Sequence, residues 1–246
     1  MSTPDSTLTL SPDDITAITG NLDEVAERAR AAAEASGRAG DAVKVMLATK
    51  TQPAEKIRVA LDHGFTLIGE NKVQEIVGKA EALADLAPET HLIGPLQRNK
   101  VNHTLRHASC IQSVDNLALA EKISNRLEVI DETVEYFVQV NTSREDSKFG
   151  VAPEDAEALI AETRELERMR LRGLMTIGLP GSSAEEIRPS YADLRELSER
   201  LREKGVMPAE ATELSMGMSG DFELAISEGA TMVRVGSSVF GARDYS

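Results

Sequence analysis

Eight short apolar runs, each followed by a stretch with helical periodicity, recur along the chain with no linker or compositional break between them. The runs fall at residues 43–49, 65–69, 91–94, 110–114, 134–141, 171–177, 211–215 and 232–235. Strands that alternate with helices pair in parallel, because each helix carries the chain back before the next strand begins. A count of eight suits a closed (β/α)8 barrel, with an open doubly wound sheet as the alternative. The 246 residues match one such barrel or two small domains. The expectation is one α/β domain over residues 1–246, with roughly the first ten outside the packed fold.

The segments between the runs carry helix punctuation. Ser11-Pro12-Asp13-Asp14 supplies an N-cap, a proline for the first helical position and early acids that suit the helix dipole. Ile15, Ile18, Leu22, Val25 and Ala29 follow at helical spacing, so an extra amphipathic helix precedes the first strand. Pro153-Glu154-Asp155 starts another helix. A further one, lined by Ile187, Tyr191, Leu194 and Leu201, is stopped by Gly205, and Ser219 and Asp221 suit the start of a short one that Gly229 ends. In a barrel the loops after the strands gather on one rim, where ligands bind. Lys50, Glu70-Asn71, Pro95-Leu96-Gln97, the loop 143–150, Gly178-Leu179-Pro180, the loop 216–219 and Gly236-Ser237 would converge there.

A formal net charge of −14 sets the chain against nucleic acid and anionic membrane surfaces, which require a basic face. An anionic ligand would need a local pocket of backbone N–H groups. The first fourteen residues hold neither a positive residue nor an apolar core of the signal-peptide kind. No run reaches the roughly 18 apolar residues of a membrane span, so a cytoplasmic protein is expected. Cys110, the single cysteine, reads as a buried strand thiol rather than a nucleophile. His103 and His107 stand four apart on a helix without the glutamate of a zinc-protease motif, which suits a solvated helix face, not a metal site.

Three features carry chemistry. Lys50 follows the first strand; by position alone it reads as a solvated lysine, but a partly desolvated amine near another cation becomes a carbonyl trap. Arg234, inward-facing on the last strand, is such a cation. Because a buried guanidinium is costly without a partner, Arg234 pairs either with an acid such as Glu213 or with a ligand acceptor, for example a pyridine nitrogen. Gly236-Ser237-Ser238 combines close backbone approach, hydroxyls and outward N–H groups at a helix start, and 215–219 offers a similar turn. Either turn alone is explained by capping serines; phosphate sites on barrels commonly use the loops after the last two strands. An amine facing a phosphate cradle is what a phosphorylated aldehyde needs, and pyridoxal 5′-phosphate is the candidate.

Several longer segments sharpen this. Ala48-Thr49-Lys50-Thr51-Gln52-Pro53, Gly69-Glu70-Asn71-Lys72-Val73-Gln74-Glu75, the stretch from His91-Leu92-Ile93-Gly94-Pro95 to Lys100, Ser147-Lys148-Phe149-Gly150, Leu171-Arg172-Gly173-Leu174-Met175, Leu214-Ser215-Met216-Gly217-Met218-Ser219 and the run 232–245 appear in that order. Together they resemble the pyridoxal phosphate homeostasis proteins, which are related in fold to the barrel domain of bacterial alanine racemase. The resemblance implies that Lys50 holds the cofactor as a Schiff base and that Ser215, Gly236 and Ser237 bind its phosphate. It further implies that Arg234 faces the pyridine nitrogen, that Asn71 lies near the 3′-oxygen and that Met216 and Gly217 line the pocket. Lys148 matches a family lysine. Thr90 departs from the aromatic often found before the third strand.

The resemblance also implies a carrier that maintains vitamin B6 homeostasis without catalytic turnover. Apo forms of pyridoxal-phosphate enzymes are then the expected recipients, and a monomer is expected. Racemases of this barrel type take a second base from an additional β domain, and this chain stops soon after the eighth run. The alternatives are a weakly active amino-acid racemase and a phosphosugar enzyme that forms a substrate Schiff base at Lys50.

Overall fold

The computed structural model describes residues 9–145, 149–179 and 183–241. Among them, eight parallel strands close into a barrel in chain order: β1 (Lys44–Ala48), β2 (Leu67–Glu70), β3 (Glu89–Leu92), β4 (Cys110–Val114), β5 (Val134–Gln139), β6 (Met169–Met175), β7 (Glu213–Met218) and β8 (Met232–Val235). Closure rests on β1, where Leu47 lies opposite Ile68 of β2 on one side and Val235 of β8 on the other. An open sheet would leave the first and last of these strands unjoined, so the barrel is the architecture.

Adjacent residues on each strand serve different layers. Leu47, Ile68, Ile111, Val138, Leu174 and Val233 belong to the large core beneath the surrounding helices. Their neighbours Met46, Leu67, Cys110, Phe137, Met175 and Met232 form a second cluster inside the barrel. Burying an apolar side chain of this size stabilises by roughly 1.5–3 kcal/mol. Slipping one strand by one residue would exchange the two layers, and this fixes the register. Below the inner cluster, Arg172 bridges Glu135 and Glu213, and Lys44 reaches Glu213 at 3.4 Å. These charges close the amino-terminal end of the barrel.

β4 and β8 keep their expected bounds, β1, β2, β3 and β5 differ at one or both ends, and β6 and β7 differ for reasons visible in the structure. β6 begins at Met169 because Arg170 and Arg172, which interrupt the apolar pattern, sit on a paired strand, the latter within the ion cluster. β7 runs on to Met218: its register against β8 shifts between Ser215 and Met218, the mark of a bulge, and Gly217 within it has φ +95°. A Cβ on Gly217 would lie 2.5 Å from the Ala225 Cβ, so its absence lets the following helix approach the strand.

The extra helix α1 (Pro12–Ala35) starts as expected. Ser11 Oγ accepts from the Asp14 N–H at 3.1 Å, and the Asp14 carboxylate accepts from the Ser11 N–H at 3.1 Å. Its buried face is Ile18, Leu22, Val25, Ala29 and Ala33; Ile15 stays exposed. Asn21 Nδ2 donates to the Val239 carbonyl at 2.9 Å, and the Arg28 guanidinium pairs with Glu223 and lies 4.8 Å from the centre of the Phe222 ring. The N-terminal helix therefore braces the two short helices that follow β7 and β8. No helix among the described residues is long and apolar enough to cross a membrane.

Candidate functional site

At the carboxyl ends of the strands the barrel opens into a cavity of about 300 Å3. Of the residues expected from sequence, Lys50, Asn71, Arg234, Gly236 and Ser237 line it; Ser215, Met216 and Gly217 do not. Lys50 lies two residues past Ala48, on the inward-facing phase that starts at Lys44 and Met46. Ile93, Ile177 and Met218 add apolar walls. Asn71 is pinned from behind, since a Cβ on Gly94 would lie 2.2 Å from the Asn71 carbonyl oxygen.

Arg234 is buried, and its partners differ from the acid considered above. Nη1 donates to Ser215 Oγ at 2.8 Å and Nη2 to the Thr176 carbonyl at 2.7 Å, while Glu213 is engaged by Arg172 one layer lower. Burial lowers the guanidinium pKa to about 10, against the pull of Tyr191 and Asp221. Ser215 Oγ in turn donates to Gln112 Oε1 at 2.7 Å. Gln112 Nε2 lies 2.8 Å from His91 Nδ1, and His91 Nε2 lies 2.8 Å from Glu89 Oε1. A line of polar groups thus descends through the apolar interior from the cavity to the solvent-facing Glu89. The His91 contact holds the Glu89 carboxyl below the usual range.

On the opposite side of β8 from β1, the turn after β8 meets the end of β7. The Gly236 N–H donates to Ser219 Oγ at 3.0 Å and the Ser238 N–H to the same oxygen at 3.3 Å. A Cβ on Gly236 would lie 2.8 Å from the Ala48 carbonyl oxygen, so the glycine brings this turn against the strand that leads to Lys50. Asp221 fixes the loop: one carboxylate oxygen accepts from the Met218 N–H at 2.7 Å and the other from the Tyr191 hydroxyl at 3.0 Å.

The longer β7 places three of the expected residues away from the cavity wall. Ser215 is mid-strand and fully buried, with its hydroxyl spent on Arg234 and Gln112, so the serine beside the Gly236 turn is Ser219. Met216 faces the outer core, leaving Met218 at the cavity, and Gly217 serves the bulge. Sequence reasoning did not single out Gln112, His91 as a buried polar group, or Thr176; the available signal was a polar side chain on the inward phase of an apolar strand. Lys148 lies outside the described residues. Cys110 is buried, and desolvation raises its thiol pKa well above the ordinary value. No group of three or more His, Cys, Asp or Glu able to hold a metal occurs among the described residues.

Barrel and rim define a class. Residues 20–244 match the family model described as "Alanine racemase, N-terminal domain", and an alanine racemase from Clostridium difficile in complex with cycloserine shares the fold at TM-score 0.73 and 15% identity, this chain covering 64% of that one. Closer similarity is found with the "Pyridoxal phosphate homeostasis protein" of Pseudomonas aeruginosa, 42% identical over 93% of this chain and 96% of that protein. PipY of Synechococcus elongatus, solved with pyridoxal phosphate bound, superposes at TM-score 0.79 with 32% identity, covering 91% of this chain and all of that one. The chain belongs to the pyridoxal phosphate homeostasis protein family.

Proposed function

We propose that this chain binds pyridoxal 5′-phosphate through a Schiff base with Lys50 and acts in vitamin B6 homeostasis as a holder of the cofactor, without catalytic turnover. The observation that carries this is the placement of Lys50 and the Gly236-Ser237 turn on the same cavity. The residues fit the group. The Gly236 and Ser238 N–H groups converge on one oxygen, Ser219 Oγ, and are suited to a phosphate oxygen. Arg234, fixed by Ser215 and Thr176 and incapable of accepting a proton, suits an unprotonated pyridine nitrogen, and Ile93, Ile177 and Met218 suit the ring faces. Asn71 is the candidate for the 3′-oxygen. When bound, the cofactor supplies an electrophilic aldehyde and an aromatic electron sink, which an Arg-paired nitrogen weakens.

A holding role rather than racemisation is supported by the ionisable side chains on the cavity. Among the described residues these are Lys50 and Arg234, and the second is committed to two hydrogen bonds. Similarity to proteins named for homeostasis supports the same role. Transfer to apo-enzymes is the corresponding physiological step. The test is spectroscopic: protein mixed with pyridoxal phosphate gives a visible band that borohydride abolishes and that Lys50→Ala lacks. A colourless wild type that fails to take up the cofactor refutes the proposal.

A further inference from the structure

The residues on either side of Lys50 are gripped by three side chains from the next βα unit, Lys79 and Glu75 at the backbone and Glu70 at the Thr49 hydroxyl. Before it, Thr49 is fully buried; its hydroxyl donates to Glu70 Oε1 at 2.6 Å, and its carbonyl accepts from Lys79 Nζ at 2.9 Å. After it, Thr51 holds the left-handed conformation at φ +65°, which a β-branched residue rarely adopts, and its N–H donates to Glu75 Oε2 at 2.5 Å. Lys79 joins the two halves: Nζ also reaches Glu70 Oε1 at 2.7 Å and Glu75 Oε2 at 3.2 Å, so its three donors are all engaged. Glu70 ends β2, and Glu75 and Lys79 lie one turn apart on the helix α3 (Val73–Ala80).

We propose that Lys79, with Glu70 and Glu75, is a positioning group for the Lys50 amine. This rests on the Schiff-base reading above and concerns how that amine is delivered. Holding both peptides that flank Lys50 fixes the direction in which its side chain leaves the backbone. A tilt of about 10° at Cα displaces an amine at the end of the extended stem by about 1 Å. Misplacement on that scale costs on the order of 100-fold in attack by a positioned group. The grip also explains why Thr51 keeps a strained conformation, since its N–H would otherwise lose a charged acceptor.

Two vitamers separate positioning from general integrity. Pyridoxal 5′-phosphate binds and links to Lys50, whereas pyridoxine 5′-phosphate carries an alcohol in place of the aldehyde and can only bind. The rate of borohydride-trapped linkage is measured for wild type and Lys79→Met, together with the calorimetric affinity for pyridoxine phosphate. Linkage is expected to slow by about 10- to 100-fold in K79M, with pyridoxine phosphate affinity within about twofold of wild type. Unchanged linkage, or an equal loss in both measurements, overturns the proposal. Because Lys79→Met strands the buried Glu70, the double variant E70Q/K79M, which keeps an acceptor for Thr49, is judged by the same two outcomes if K79M does not fold. A wild type that forms no link at Lys50 overturns the parent proposal and this one with it; a wild type that links and variants that link as fast overturn this one alone.

Discussion

Ser215→Ala tests whether this hydroxyl belongs to the protein or to the ligand. In the structure it accepts from Arg234 Nη1 at 2.8 Å and donates to Gln112 Oε1 at 2.7 Å, with no exposure to solvent. Deleting it orphans a donor on a buried cation and a buried amide oxygen. Each stranded group costs about 1–3 kcal/mol, and one missing oxygen frees less space than the roughly 30 Å3 a water takes up in the liquid. The expected loss is therefore about 3 kcal/mol, a substantial part of the roughly 5–15 kcal/mol that holds an ordinary domain together. For a chain of this length the melting temperature should fall by roughly 6–12 °C. Urea unfolding of the ligand-free protein, monitored by circular dichroism, reads it directly. A loss below about 0.5 kcal/mol, the range of unremarkable surface substitutions, together with a collapse in affinity for pyridoxal phosphate, would refute the internal role and restore Ser215 as a phosphate ligand.

Two further outcomes follow from the barrel itself. Gly173→Ala places a Cβ 1.8 Å from the Glu213 carbonyl oxygen, a clash between two backbones in paired strands; a loss above about 4 kcal/mol is expected, and a soluble variant melting like wild type would contradict the β6–β7 register. Cys110, whose thiol burial raises well above its ordinary range, should stay inert to a disulfide reagent at pH 9 in native protein and react on denaturation, whereas rapid native reaction would place it at the surface.

Much of the barrel was legible because eight short apolar runs alternate with helical stretches along the chain. β4 and β8 have the bounds read from their apolar runs, and the capped N-terminal helix starts where Ser11 and Pro12 place it. At β6 and β7 the bounds shift because a side chain is satisfied by a distant partner or the pleat is broken. Arg170 and Arg172 hide the start of β6 until Glu135 and Glu213 are seen beside Arg172, and Gly217 looks like the end of β7 while being its bulge. The site shows the same division. Lys50, Asn71, Arg234, Gly236 and Ser237, which stand at or just past strand ends in the sequence, do line the cavity. Ser215 lies below the cavity, which was not legible because a strand's phase tells which side chains point inward but not how deep each one lies. Depth depends on the stagger among all eight strands, and no single segment encodes that. For the same reason Glu213, although it shares the inward phase, is too deep to serve Arg234.

The polar line from Arg234 to Glu89 has one more consequence. A guanidinium cannot accept a proton and an ionised carboxylate cannot donate one, so the two ends act as stops that orient every link between them. His91 must carry its hydrogen on Nε2 toward Glu89, and Gln112 must turn its NH2 toward the imidazole and its oxygen toward Ser215. Rotating any one of these groups would set lone pair against lone pair or hydrogen against hydrogen. The bond dipoles therefore add along the axis and strengthen one another, giving the barrel an internal arrow whose head is the carboxylate at its base.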